Sequence, residues 1–316
     1  MSPSPLVTVL INNYNYGRYL RECIDSALTQ TYENLEIVVV DDGSTDNSRQ
    51  ILTSYGNGII PVFKPNGGQA SALNAGFAAS KGEIVCLLDS DDVWLPGKVE
   101  EIVRAAEAND KAMFIYHAYQ RADANLRPFG KVLPLSFLEG DISAKIRRSG
   151  GCWPFPPTSA LGFRRSILST VMPIPESLFR TCADACLAYS IPLIAPVAAI
   201  RQPLCMYRLH GSNGYASRQL SRDDAVAADG LKVKRYQRNV EGVNQVLARI
   251  GQTDSLRLKD HVSYAKARYT AGVSGRPSWV EVTWKLARMS SEPSWFARSK
   301  AVAKFWLESF GAARFS

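Results

Sequence analysis

The sequence lacks several features that would assign it to a familiar class. No apolar run reaches the roughly 18 residues of a membrane-spanning helix, and the opening MSPSPLVTVLI lacks the basic region and cleavage site of a signal peptide. None of the six cysteines forms a CxxC pair, so we expect reduced core thiols in a cytoplasmic protein. The net charge is +8, yet there is no dense run of lysine or arginine and no RNP-like motif, which argues against nucleic acid as a partner.

Two glycine patterns that bind phosphates are also missing. The sequence has no GxGxxG after its first apolar run and no GxxxxGK[ST] anywhere. Their absence argues against a Rossmann dinucleotide enzyme and a P-loop NTPase. A nucleotide would therefore be held by side chains and a metal ion.

The first part of the chain alternates between strand and helix patterns. Short apolar, β-branched runs predict strands, and apolar residues at helical spacing predict helices. The predicted strands cover 6–11, 35–44, 58–65, 83–89 and 112–123. The predicted helices cover 17–30, 67–80 and 97–108, and STDNSRQILTSY predicts a further helix capped by Ser44 or Thr45. This order predicts an α/β fold with a mostly parallel, Rossmann-like central sheet flanked by helices.

The rest of the chain has three parts. Residues 124–160 are rich in proline, glycine and aromatic side chains, and such irregular segments usually cover a site. Segments of strand and loop character follow at 191–200 and 203–213, and helical patterns dominate from about residue 220. We predict an α/β domain at residues 1–220 and a helical C-terminal region at residues 221–316.

Polar side chains follow three of the predicted strands where each strand ends. These side chains are Asn12, Asn13, Tyr14, Asp41, Asp42, Asp89, Ser90, Asp91 and Asp92. The carboxyl ends of strands in an open parallel sheet lie along one edge, where ligands bind. Five carboxylates at one edge need a cation to remain ionised, and oxygen ligands suit Mg²⁺ or Mn²⁺ bound together with substrate phosphates.

Each of these groups also has a simpler interpretation when taken singly. The DDGS run could be a turn and a helix cap, the DSDD run could be a solvated loop, and Tyr14 could be a packing residue. Their joint placement at strand ends favours a metal-dependent nucleotide site.

The motifs resemble those of the family 2 glycosyltransferases, which have the GT-A fold. VTVLINNYNYGRYLRECIDSALTQTYENLEIVVVDDGSTDNS resembles the first strand, helix and second strand of that family. NGGQASALNAGFAASKGEIVCLLDSDDVWLPGKVE resembles its central stretch with the DxD motif. The resemblance covers residues 5–215 and implies inverting transfer of a sugar from a nucleotide-diphosphate donor to a hydroxyl of a glycan or lipid-linked acceptor. Residues 221–316 carry no motif of the family.

The resemblance implies a role for each residue on the donor side. Tyr14 would stack on the nucleotide base, and Asn12 would line the base pocket. Asp42 would accept a hydrogen bond from the base, with Asp41 orienting the turn. Asp89 would bind the ribose.

The resemblance also implies a metal site and a closing loop. Asp91 would coordinate the Mn²⁺ or Mg²⁺ ion that bridges the diphosphate, and Asp92 would be structural or would support the metal ligands. The segment YRLHGSN resembles the closing loop of the family. There His210 would reach the metal or the diphosphate, Arg208 could neutralise phosphate charge, and Asn213 would fix the loop.

A carboxylate on the acceptor side is the remaining requirement of the family. It usually occurs as Glu-Asp at a helix start, and FRTCADACLAYSIPL has Ala183-Asp184 in that place. We expect Asp184 to be the general base, in small and apolar surroundings that raise the pKa of its carboxyl. A helix cap is the alternative role for Asp184. Glu176 is the reserve candidate for the base.

The C-terminal region permits two interpretations. Four aromatic or apolar residues fall on one helical stripe, and three basic residues lie mostly away from it. The stripe comprises Trp295, Val302, Trp306 and Phe310, and the basic residues are Arg298, Lys300 and Lys304. Such a helix suits an anionic surface on the inner face of the cell membrane. It equally suits packing on the catalytic domain or on a second copy of the chain.

Two rival functions and the substrate identity remain open at this point. A metal-dependent nucleotidyltransferase would need a basic, glycine-rich triphosphate loop near the first strand, which NNYNYGRYL does not supply. A non-catalytic nucleotide-sugar binding module remains open because alanine replaces the usual glutamate at Ala183. The resemblance implies a uridine diphosphate donor, with thymidine diphosphate sugars as the alternative. The variable segment 130–180 is expected to select the acceptor.

Overall fold

The computed structural model describes residues 4–211, 213, 222–288 and 295–310, with the backbone alone at 222–227, 295–297 and 310. The chain divides into two compact units. One comprises Met1–Asp141 and Phe155–Ala216, and the other comprises Ile142–Pro154 and Ser217–Ser316. The second unit thus includes a segment that the predicted boundary at residue 220 assigns to the α/β domain.

Strands occur, among the described residues, in the first unit. They are β1 (Val7–Asn13), β2 (Leu35–Asp41), β3 (Ile60–Phe63), β4 (Ile84–Asp89), β5 (Val93–Trp94), β6 (Phe114–Ala122), β7 (Pro128–Leu133), β8 (Leu161–Arg164) and β9 (Val197–Arg208). The helices are α1 (Gly17–Leu28), α2 (Ser48–Ser54), α3 (Gln69–Ala79), α4 (Lys98–Ala108), α5 (Ser143–Arg148), α6 (Arg165–Val171), α7 (Asp184–Ser190), α8 (Arg222–Arg249), α9 (Val262–Thr270), α10 (Trp279–Arg288) and α11 (Trp295–Phe310). Of these helices, α5 and α8 to α11 belong to the second unit.

The sheet has the order β3-β2-β1-β4-β8-β6-β9-β5, with β7 paired to β6. Strands β1 to β4 are parallel to one another, β8 runs antiparallel to both β4 and β6, and β9 returns parallel to β6. The predicted α/β fold with a mostly parallel sheet flanked by helices is confirmed. The register pairs Asn12 with Val40 and Asp89, and Asn13 with Asp41, so the polar ends of β1, β2 and β4 lie level at one edge.

The core of the first unit follows from the apolar runs in the sequence. Strands β1, β2 and β4 are buried along nearly their whole length, as expected for parallel strands covered on both faces. Helix α1 turns Leu20, Cys23, Ile24 and Ala27 toward the sheet, and all four are fully buried. This packing holds the polar strand ends in fixed positions.

One expectation for the middle of the chain is wrong. Residues 124–160 are not irregular throughout, because they contain β7 and α5. Residues 191–200 contain both a turn and a strand, as expected, because Ile191–Leu193 form a short 3-10 turn after α7 and β9 begins at Val197 and continues to Arg208. Apolar runs of this length do not distinguish a buried turn from a strand.

The second unit is helical, as expected for the C-terminal region. Helices α9, α10 and α11 pack around Val262, Val282, Leu286 and Phe305, with Val302 against the same cluster. Two residues of the expected stripe contact the same helix, since Val302 joins this cluster and Trp306, which is 45% exposed, donates from Nε1 to Thr283 of α10 (2.8 Å). The side chains of Trp295 and Phe310 lie outside the described residues. Over the described parts of the chain, no helix has both the length and the apolarity needed to cross a membrane.

Candidate active site

The loops that follow β1 and β2 are bound to each other at the polar edge of the sheet. Asn13 donates from Nδ2 to Asp41 Oδ1 (2.9 Å) and to Ser44 Oγ (3.2 Å). Asp41 is buried, whereas the side chain of Tyr14, directly after β1, is 46% exposed. An exposed ring on a fixed loop has a face available for stacking on a nucleotide base.

Asp42 binds the loop that precedes α3. Its carboxylate accepts hydrogen bonds from the backbone N–H groups of Gly67 (2.9 Å) and Gly68 (2.7 Å), and Lys64 Nζ lies 2.6 Å from Oδ1. Gly68 has φ +89, and a Cβ there would lie 2.7 Å from the backbone of Arg180. The expected hydrogen bond from a base to Asp42 would have to use the carboxylate lone pairs that these donors leave.

Asp89, at the end of β4, is surrounded by hydrogen-bond donors and acidic neighbours. The side chains of Thr158 and Asn12 donate to its carboxylate, and Gln69 Nε2 lies 3.3 Å from Oδ1. Burial and the charges of Asp91 and Asp184 raise the pKa of Asp89 to about 7. The end of β4 and the start of α7 are joined at this edge, because the same Gln69 accepts at Oε1 from the backbone N of Ala183 (2.9 Å), the residue before Asp184.

The closing loop meets the end of β4 at Asp91. His210 Nε2 lies 3.0 Å from Asp91 Oδ2, and Asn213 Nδ2 lies 3.2 Å from the same oxygen. Asn213 also donates to Arg208 O and accepts from His210 N, so it fixes this loop as expected. Residues that are 119 and 122 positions apart in the sequence thus share one site.

Two tyrosines at the N-terminal end of α1 orient the imidazole of His210. The ring of Tyr19 stacks on it at 4.7 Å between centroids, and the ring of Tyr16 meets it edge-on at 5.6 Å. The His210 side chain is only 3% exposed. Because packing fixes the ring plane, Nε2 remains directed at Asp91.

Arg208 has a structural role, and the expectation that it could neutralise phosphate charge is wrong. Its side chain donates to Asp91 O (2.7 Å), Ala124 O (3.0 Å) and Glu22 Oε2 (2.6 Å), and it is buried. Its backbone N donates to Asp92 Oδ1 (2.8 Å). The hydrogen bonds of Arg208 therefore join the segment around Asp91 to the closing loop.

We expect Arg208→Met to lower the free energy of unfolding by about 3 kcal/mol, because buried carbonyl acceptors lose a charged donor. Thermal or urea unfolding measures this change. Arg201→Met is the matched control, since Arg201 pairs with Glu139 on the surface with a 69% exposed side chain. The control should change stability by less than about 1 kcal/mol. Equal losses in the two variants would contradict the structural role of Arg208.

Asp92 is fully buried and belongs to the support of the site, as expected. It accepts hydrogen bonds from Ser159 Oγ (2.6 Å) and from the backbone N of Arg208. Ser159 Oγ also accepts from the backbone N of Asp89 (3.1 Å), and Ser159 O accepts from Trp94 Nε1 (2.9 Å). One serine thereby connects the backbone of Asp89 to the carboxylate of Asp92.

Asp184 is the first residue of α7. Ala183 precedes it and has no side-chain group that could cap the helix. The backbone N of Ala183 donates to Gln69 Oε1 (2.9 Å). Glu176, the reserve candidate, is exposed and accepts from Asn74 Nδ2 (3.1 Å). Because Gln69 also donates to Asp89, its contact with Ala183 holds the start of α7 beside the acidic edge.

The residues around Asp91 suit a divalent cation. In the described parts of the chain, no three His, Cys, Asp or Glu side chains form a metal-binding group. Asp91 and His210 are two groups that can each ligate a metal ion, and Oδ2 of Asp91 lies 3.0 Å from Nε2 of His210. A carboxylate and an imidazole suit Mn²⁺, and substrate phosphates typically complete such sites.

Comparisons with known proteins identify the family. The sequence model of Glycosyl transferase family 2 matches residues 8–172. An uncharacterized glycosyltransferase of Nostoc sp. is 35% identical over 291 residues, which are 90% of this chain and 87% of that protein. The chain belongs to glycosyl transferase family 2. The predicted family resemblance is confirmed, and this protein is a glycosyltransferase.

Solved structures show the same fold. TarS of S. aureus, in complex with UDP, has a TM-score of 0.54 and 17% identity, and the match covers 97% of this glycosyltransferase and 91% of that chain. A mannosyltransferase from Pyrobaculum calidifontis, in complex with GDP-Man and Mn²⁺, has a TM-score of 0.52 and 16% identity, with 98% and 87% covered. The GT-A fold of this glycosyltransferase is therefore confirmed.

Sequence reasoning missed three contributors to the site. Gln69 and Ser159 act through hydrogen bonds to Asp89, and Tyr16 contacts His210. A signal existed for Gln69, since it follows two glycines at a predicted helix start within the NGGQASALNAG run. No comparable signal marks Ser159, because its partners Asp89 and Asp92 are 70 and 67 residues away in the chain.

Proposed function

We propose that this glycosyltransferase moves a sugar from a nucleotide-diphosphate sugar to a hydroxyl of a glycan or lipid-linked acceptor, with inversion at the anomeric carbon. The observation that carries this proposal is the meeting of three segments at one sheet edge. Asp89 ends β4 and Asp91 follows it, and His210 of the closing loop lies 3.0 Å from Asp91. Helix α7 begins at Asp184, directly after Ala183, which Gln69 joins to Asp89. The complexes of the two structural neighbours with UDP and with GDP-Man and Mn²⁺ support a nucleotide-sugar donor.

The proposed donor site uses the residues at the ends of β1, β2 and β4. The exposed ring of Tyr14 stacks on the base, Asn12 lines the base pocket, and Asp42, oriented with Asp41, accepts from the base. Asp89 binds the ribose. A uridine diphosphate donor is our preferred choice.

The proposed reaction is a single displacement. Asp184 takes the proton from the acceptor hydroxyl as its oxygen bonds to the anomeric carbon. The bond from that carbon to the diphosphate breaks, and the nucleoside diphosphate leaves with the electron pair. A Mn²⁺ or Mg²⁺ ion held by Asp91 and His210 would supply charge neutralisation at the diphosphate. The protein fixes His210 through Tyr16, Tyr19 and Asn213.

A panel of nucleotide sugars tests this function. Thermal shift with Mn²⁺ should show stabilisation by one donor class, because a ligand that binds only the folded state raises its stability. Hydrolysis of that donor then separates an enzyme from a non-catalytic binding module. Stabilisation by nucleoside triphosphates alone would favour a nucleotidyltransferase and contradict the proposal.

We also propose that the second unit associates peripherally with anionic membranes. Helices α10 and α11 expose five large apolar side chains, and Trp279 and Trp306 contact each other with ring centroids 6.1 Å apart. The five are Trp279, Val280, Trp284, Trp306 and Leu307. Arg288, Lys300 and Lys304 are exposed on the same two helices. Tryptophan and basic side chains together suit the interface of an anionic bilayer.

Replacing Trp284 and Leu307 together by glutamine should weaken binding to phosphatidylglycerol vesicles roughly tenfold or more, because both side chains are largely exposed and support no core. Vesicle sedimentation measures the change, with phosphatidylcholine vesicles as the uncharged comparison. Leu135→Gln is the matched control, since Leu135 is an exposed leucine of the first unit. A change in self-association with unaltered sedimentation would favour an interface between two copies.

A further inference from the structure

Gln69 connects two parts of the candidate site that are far apart in the sequence. Its side-chain Nε2 donates to Asp89 Oδ1 (3.3 Å), and its Oε1 accepts from the backbone N of Ala183 (2.9 Å). Its own backbone N donates to Arg180 O (2.9 Å). One residue therefore spans from the end of β4 to the residue directly before Asp184.

The side chain of Gln69 is not needed to cap its own helix. Three N–H groups in the first turn of α3 already have backbone acceptors, since Gln69 donates to Arg180 O (2.9 Å), Ala70 to Phe179 O (3.1 Å) and Ala72 to Gly68 O (3.0 Å). Capping of α3 therefore does not account for the two hydrogen bonds of the Gln69 side-chain amide. Both contacts are directed away from α3, toward β4 and α7.

The chemistry of an amide suits this position. Asp89 requires a donor, the N–H of Ala183 requires an acceptor, and glutamine supplies both from one neutral group. A carboxylate in its place would add a third negative charge beside Asp89 and Asp184, whose charges already interact. The side chain of asparagine is one methylene shorter, so its amide would not reach both Asp89 and Ala183.

The backbone at the other end of the contact is held in an uncommon conformation. Cys182 has φ +57, in the left-handed region that non-glycine residues rarely adopt. Such a conformation persists where surrounding contacts determine it, and it often occurs at functional sites. The two hydrogen bonds of Gln69, to Arg180 and from Ala183, lie on either side of Cys182.

We propose that Gln69 is a positioning residue that fixes the start of α7, and with it the carboxylate of Asp184, relative to the donor held at Asp89. This inference rests on the proposed function, which takes Asp184 as the base and Asp89 as a donor contact. Gln69 itself transfers no proton. It keeps the base in line with the acceptor oxygen.

Gln69→Met preserves the volume of the side chain and removes both amide contacts. We expect kcat for transfer to fall about tenfold to a hundredfold, since a displacement of about 1 Å can cost that much, while the KM for the donor changes less than about threefold. Gln69→Asn should lose kcat similarly, because its amide cannot reach both partners. If Gln69→Met does not fold, as judged by thermal unfolding, Gln69→Asn decides the question.

Asn74→Leu is the matched control. Asn74 lies on the same helix and joins it to Ile174 through the same kind of amide contacts, at 2.8 and 3.0 Å, without reaching Ala183. Both variants are expected to lose stability, but only the Gln69 variants should lose kcat at an unchanged donor KM. Equal kcat in folded Gln69→Met and wild type would overturn the positioning role, as would an equal kcat loss in both variants.

Asp184→Asn, assayed beside these variants, distinguishes failure of the positioning role of Gln69 from failure of Asp184 as the base. If Asp184→Asn loses transfer while the Gln69 variants keep it, only the positioning role is overturned. If Asp184→Asn keeps full transfer, the assignment of the base fails whatever the Gln69 variants do.

Discussion

Asp184→Asn should reduce transfer by about a hundredfold or more, the scale of lost general-base catalysis. Asparagine keeps the size of the side chain but cannot accept the proton of the acceptor hydroxyl. Donor affinity should change little, because the proposed donor contacts lie at the ends of β1, β2 and β4. Steady-state kinetics gives the loss in kcat, and calorimetry with the nucleoside diphosphate and Mn²⁺ gives the donor affinity.

The pH profile provides a second readout for Asp184. A base must be ionised, so wild-type kcat should rise as pH increases through the pKa of the carboxyl, and the variant should lack this acidic limb. Glu176→Gln is the matched control, since Glu176 is the other acidic residue considered for this role and is exposed. Wild-type transfer by folded Asp184→Asn, together with loss in Glu176→Gln, would move the base to Glu176.

Asp91→Asn should abolish the dependence of nucleoside diphosphate affinity on Mn²⁺. In the wild type, we expect a chelator to weaken binding about tenfold or more, because the carboxylates of Asp89 and Asp91 then face the diphosphate unscreened. The variant should bind equally with and without the chelator. Calorimetry in both conditions measures the effect without requiring catalysis.

The control for this experiment removes one charge elsewhere. Asp123→Asn changes the net charge of the chain by the same amount, at a turn where Asp123 accepts from the backbone of Asn125 and Arg127. It should retain the full effect of the chelator. Retention of that effect in Asp91→Asn would remove Asp91 from the metal site.

Much of the fold follows from local patterns in the sequence. The buried runs of β1, β2 and β4 predict parallel strands, and the parallel arrangement then brings Asn12, Asp41 and Asp89 to one edge. Local patterns were insufficient in the middle of the chain, where Val197–Arg208 becomes one long strand beside β6. The pairing of β9 with β6 is a long-range contact, and short apolar runs do not encode it.

The sequence by itself determined the family motifs, the acidic strand ends and the candidates Asp91, His210 and Asp184. Only the tertiary structure decided what surrounds them: Arg208 binds backbone carbonyls within the site, and Gln69 spans from Asp89 to Ala183. The physical reason is that a motif specifies residue types at a spacing along the chain. The partner of a buried hydrogen-bonding group depends on which distant segments the packed sheet and helices bring within about 3 Å of it.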